Sequence, residues 1–230
     1  MQYEIDEITS KIHQGWKPFF DENRKELASI LDQINSDENE VFPNPKDVFR
    51  ALFYFGPLDT KLVILGQDPY IGYEIINDMK VPQACGLSFS VPKNHKKIPP
   101  SLKNIFKEID PNYILPHGSL LNWVKNEKIL LLNAALTVIQ GKSNSHMPIW
   151  SQFTDKLIKY ISDKNKDTVF LLMGNFAIKK MSHDNMNMIF KTVHPSPLSA
   201  YNGFFGCNVF NKINEYFESK NIAMINWKIN

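Results

Sequence analysis

The chain has 230 residues, 43% of them hydrophobic and 22% charged, with ten Gly and fourteen Pro, a composition that fits a folded globular domain and excludes disordered and collagen-like classes. Its two cysteines, Cys85 and Cys207, lie far apart, which excludes a disulfide framework and four-cysteine zinc or iron–sulfur sites. Net charge is only +2, yet residues 1–50 carry six Lys+Arg against eleven Asp+Glu and the remainder is basic by +7, a distribution compatible with a phosphate-backbone partner.

No stretch approaches the ~18 consecutive apolar residues of a membrane span. Residues 1–6 carry acids where a secretory signal carries bases. A soluble, intracellular protein is therefore expected, with no membrane partner, in a cytoplasm or in a nucleus or viral factory. Neither an internal repeat nor a Gly/Ser-rich linker divides the sequence, so residues 1–230 read as one domain, with residues 1–15 as a peripheral N-terminal extension.

In chain order, residues 45–55 place Val48, Leu52 and Phe55 on one helical stripe behind an Asn-Pro start. An apolar run follows at 61–66, a second at 128–133, a third at 168–174 and a fourth at 188–193. Continuous apolarity over four to six residues, with β-branched content and Gly or Asn at the end, predicts strands buried on both faces of a parallel sheet, with a short buried helix as the competing reading. Residues 150–161 and 209–217 carry further helical stripes, Trp150, Phe153, Leu157 and Ile161 in the first and Val209, Ile213, Tyr216 and Phe217 in the second. Alternating strands and helices predict an α/β fold, with a central four-stranded, mainly parallel sheet flanked by helices.

Ligands of open α/β sheets bind beyond the carboxyl ends of the strands. There the sequence places Gln67, Asp68 and Tyr70 after the first run, Asn133 at the end of the second, Gly174 and Asn175 after the third, and His194 after the fourth. Singly, each has a plain structural explanation as turn former, cap or core residue. Turn chemistry gives no reason for an acid, an amide and an imidazole to stand together at successive strand ends.

Gly66-Gln67-Asp68-Pro69-Tyr70, the Gly86–Ser90 segment around Phe89, Pro99-Pro100-Ser101, Asn133, Asn144-Ser145-His146, residues 170–174 and His194-Pro195-Ser196-Pro197-Leu198-Ser199 together resemble the family 1 uracil-DNA glycosylases, in family order over essentially the whole chain. The resemblance implies a monofunctional enzyme that hydrolyses the N-glycosidic bond of deoxyuridine in single- or double-stranded DNA, without metal or cofactor, and acts as a monomer. It assigns Asp68 and His194 to catalysis. Gln67, Tyr70, Phe89 and Asn133 would hold uracil, and Leu198 would be the wedge that enters the base stack. Pro99, Pro100, Ser101, Gly174, Asn175, Ser196, Pro197 and Ser199 would meet the DNA strand, with Lys96, Lys97 and Lys103 nearby. Two rival readings are a catalytically weak DNA-bound scaffold, disfavoured by retention of Asp68 and His194, and a broader mismatch glycosylase, disfavoured by Tyr70 with Asn133. Protein inhibitors and replication partners are not specified by the sequence.

Departures from the family pattern are local. Ile71 stands where His usually follows the tyrosine, Cys85 and Asn175 replace the usual His and Ser, and Asn202 occupies a position where many members carry Arg. Residues 72–82 are longer than the family's short connection. With Glu74 and Asp78 against one Lys80, and with Tyr73, Ile75, Ile76 and Met79, this segment is expected to fold back on the protein as a packed excursion at the pocket rim and not to clamp phosphates.

Overall fold

The structure, a computed structural model, describes residues 2–181 and 186–229. Strands run β1 Val41–Phe42, β2 Leu62–Gly66, β3 Tyr73–Ile76, β4 Met79–Pro82, β5 Ile129–Asn133, β6 Val138–Ile139, β7 Val169–Met173 and β8 Ile189–Thr192. Helices are α1 Ile5–Thr9, α2 Lys17–Glu22, α3 Arg24–Asn35, α4 Pro100–Ile109, α5 Leu121–Glu127, α6 Met147–Lys164, α7 Asn175–Lys180 and α8 Val209–Ser219.

The four predicted apolar runs form one parallel sheet in the order β5-β2-β7-β8. Every residue of β2, β5 and β7 is buried, which is why these strands read as unbroken apolar runs. β8 departs from the expectation of burial on both faces: it is an edge strand, mostly half-buried with Lys191 exposed. The register is level at the carboxyl end, Gly66 standing opposite Asn133 and Met173 opposite Thr192. Segments just past these residues therefore share one rim. The chain leaves β2 for β5 on one side and returns to β7 on the other, opening a crevice at that rim.

The helix expected over 45–55 is instead two 3-10 turns, Pro45–Asp47 and Arg50–Leu52. Val48, Phe49, Ala51 and Leu52 are all buried, a spread wider than one α-helical stripe, and the tighter turns bring all four inward. Residues 1–15 are less peripheral than expected, because Tyr3 and Ile8 belong to the core and the Tyr3 hydroxyl donates to Pro43 O at 2.7 Å. Phe19 and Phe20 pack edge-on with Phe49 and Phe153, fixing α2 against α6. None of the described helices is long and apolar enough to cross a membrane.

The longer 71–82 segment is a hairpin of β3 and β4, closed by Asn77 and Asp78 with φ of 50° and 59°, as a two-residue turn between twisted strands requires. Strand alternation turns Glu74 inward and Tyr73 and Ile75 outward. Ile75 and Met79 are 63% and 65% exposed, so the expected packing of these apolar side chains against the protein does not occur.

Candidate active site

Gln67, Asp68, Tyr70, Phe89, Ser101, Asn133, His194, Ser196 and Leu198 line one cavity of about 520 Å³ at the carboxyl end of β2. Gly174, Asn175 and Ser199 line an adjoining groove of about 610 Å³, and His194 borders both. Pro99, Pro100 and Pro197 line neither. Pro99 caps α4 and Pro100 opens it, setting the backbone that carries Ser101.

Asn133 ends β5 and is 8% exposed. A Cβ at the facing Gly66 would lie 2.2 Å from Asn133 Oδ1, so only glycine leaves room for the carboxamide. That amide hydrogen-bonds to no described residue and keeps its donor and acceptor for a ligand. Phe89 has φ of 61°, a conformation a bulky residue adopts only when its surroundings impose it. Here Ser88 N–H donates to Leu131 O at 3.1 Å, Ser88 Oγ to Ile64 O at 3.2 Å, and Tyr70 Oη to Phe89 O at 3.3 Å. Burial pushes the Tyr70 phenol far up, so it remains a neutral donor. The Cys85 thiol, also raised by burial, donates to Ser90 O at 3.4 Å and closes the wall behind Phe89.

Past β8, the Ser196 N–H donates to His194 Nδ1 at 3.1 Å. In a neutral ring this leaves the proton on Nε2. Burial lowers the His194 pKa from its ordinary value, favouring that neutral ring. The Ser199 hydroxyl donates to His194 O at 2.8 Å and meets Ser196 Oγ at 2.9 Å, bracing the turn. Gly174, with φ of 92°, lies so close that a Cβ would stand 2.8 Å from His194 Cβ. Beyond this turn Leu198 is 93% exposed, an apolar side chain standing free at the cavity mouth.

Asp68 follows β2. The Ser143 hydroxyl and the Asn144 N–H both donate to its Oδ2, at 2.9 and 2.6 Å, while Gln67 Nε2 donates to Asn144 Oδ1. Sequence reasoning gave Ser143 and Asn144 no role. Their signal was the Asn144-Ser145-His146 segment, and its partner Asp68 lies some 75 residues away in sequence. Also unforeseen are Lys191 and Lys212, which border the adjoining groove.

An oriented carboxylate and a neutral imidazole donor beside a slot lined by Phe89, Tyr70 and a free carboxamide suit a hydrolase for a bond between a sugar and a flat heterocycle. The family model described as "Uracil DNA glycosylase superfamily" matches residues 53–218. Uracil-DNA glycosylase of Bacillus subtilis strain 168 is 42% identical over 219 residues, covering 93% of this chain and 91% of the relative. The enzyme of Blochmanniella floridana is 41% identical, covering 92% and 93%. Among solved structures, mimivirus uracil-DNA glycosylase superposes with a TM-score of 0.88 at 28% identity, covering 96% of this chain and 89% of that one. The chain belongs to the uracil-DNA glycosylase superfamily.

Proposed function

We propose that this protein hydrolyses the bond between uracil N1 and deoxyribose C1′ in DNA, releasing uracil and leaving an abasic site, with Asp68 and His194 as its catalytic residues. As the bond breaks, the sugar acquires oxocarbenium character and uracil leaves as an anion. The Asp68 carboxylate stabilises the cation and orients the attacking water. The His194 Nε2–H donates to uracil O2, where negative charge develops, and a preorganised donor of this kind is among the strongest sources of catalysis. The water supplies hydroxide to C1′, and its proton passes to solvent through Asp68.

Base choice rests on Asn133, whose amide donates to uracil O4 and accepts from N3–H. Cytosine presents the opposite pair. Phe89 stacks on the base, Gln67 closes its edge, and Tyr70 fills the space where thymine carries a methyl group. A base inside a duplex is unreachable, so it must leave the stack at a cost of a few kcal/mol, offset here by Leu198 entering the gap and by strand contacts from Ser101, Ser196, Ser199, Gly174 and Asn175. The protein would work inside the cell, wherever its DNA is held.

The observation that carries this reading is the Ser196 N–H donated to His194 Nδ1, in the wall of the cavity that also holds Asp68. Incubation with uracil-containing DNA in chelator, followed by alkaline cleavage of abasic sites, tests it. Strand scission at deoxyuridine is expected, and intact DNA would refute the reading.

A further inference from the structure

The β3–β4 hairpin has no part in the reaction as described, yet it makes one directed contact toward the strand-binding loops. Glu74 points inward with its side chain 13% exposed. Its Oε2 accepts the Lys96 N–H at 3.0 Å and its Oε1 the Lys97 N–H at 2.9 Å. Two successive backbone N–H groups converging on one carboxylate make charge-assisted bonds, stronger than those between neutral groups. Above all the Lys96 N–H, then that of Lys97 and the nearby Lys97 charge, hold the Glu74 carboxyl below its ordinary range.

His95, its side chain fully buried, lies beneath this contact with Nδ1 3.5 Å from Glu74 Oε1 and no hydrogen bond from either ring nitrogen to a described residue. The cradle ends at Lys97, and the segment then runs through Ile98 and Pro99 directly into α4, whose second residue is Ser101 on the cavity wall. Further along α4, the Asn104 amide donates to Pro195 O at 2.8 Å, tying the helix to the turn that holds His194.

We propose that Glu74 is a positioning residue: through it the hairpin acts as a strut that fixes residues 95–97 and holds Pro99-Pro100-Ser101 in register to receive the DNA strand. This rests on the reading of Ser101 as a strand contact. The hairpin itself touches no phosphate, and its outward face plays no part.

Steady-state uracil excision separates these roles. Glu74→Ala should raise KM for uracil-containing DNA about 10-fold, the scale of one lost charge-assisted contact, with kcat within about twofold. Glu74→Gln keeps one acceptor oxygen and should fall between the two. Ile75→Ser, on the outward face, should match the parent in both constants. Ser101→Ala should raise KM on its own. If Glu74→Ala keeps the parent KM while Ser101→Ala raises it, the strut is wrong and the strand contact stands. If neither variant raises KM, the reading of Ser101 fails and the strut falls with it. Tighter binding by Glu74→Ala would mean that the carboxylate only screens Lys96 and Lys97, and weaker binding by Ile75→Ser would put DNA on the outward face. Either result overturns the proposal.

Discussion

The hydroxyl of Ser143 donates to Oδ2 of Asp68 at 2.9 Å, and with the Asn144 N–H on the same oxygen it leaves Oδ1 free of any described protein partner. One carboxylate oxygen is thus anchored while the other is left open for the water of the proposed reaction. Ser143→Ala should lower kcat about 10-fold, the scale of one hydrogen bond to a charged group, and leave KM unchanged. Combined with Asp68→Asn, it should cost nothing further, since the two act as a unit. Equal effects of Ser143→Ala in both backgrounds would detach Ser143 from the carboxylate.

Base selection should follow the Asn133 carboxamide. Asn133→Asp replaces the donor to uracil O4 with an acceptor for a cytosine amino group, and should weaken uracil excision while opening some cytosine excision. Tyr70→Ala should admit thymine. Excision measured on matched uracil, cytosine and thymine substrates decides, and two variants as strict as the parent would mean the base lies elsewhere.

The His194 ring sets a pH dependence whose sign is fixed. Burial lowers its folded pKa below the ordinary 6.5, so between the two values the unfolded chain binds the proton and the folded chain does not. Its contribution to stability is whole above pH 6.5 and is lost as pH falls through the folded value. Activity should decline over the same acid range, because a proton on Nδ1 opposes the Ser196 N–H. An NMR titration of the His194 ring should show its inflection below 6.5, and an inflection at or above that value would contradict the burial argument. His194→Ala should lose ~100-fold to 1,000-fold in kcat, the usual cost of one such donor.

The sheet was legible because burial on both faces writes an unbroken apolar run, and the clustering of the candidate site residues was legible because a level register turns four strand ends into one rim. What sequence reading missed depends on contacts between distant segments. Ser143 meets Asp68 only once the turn before α6 is folded. The 45–55 segment has the right apolar spacing for a helix, but Phe49 and Ala51 must also be buried, and that demand comes from the core it packs against. In the 71–82 segment the apolar residues suggested inward packing, while strand alternation spends the inward positions on Glu74 and Ile76.

Asp68→Asn offers the most direct test of the central claim that a fixed carboxylate beyond β2 drives the cleavage of the glycosidic bond. Single-turnover release of uracil from DNA, measured beside equilibrium binding of the same DNA, reads chemistry and recognition separately. The account predicts binding close to that of the parent and loss of most of the release rate, with chelator changing neither protein. Release at close to the parent rate would contradict it.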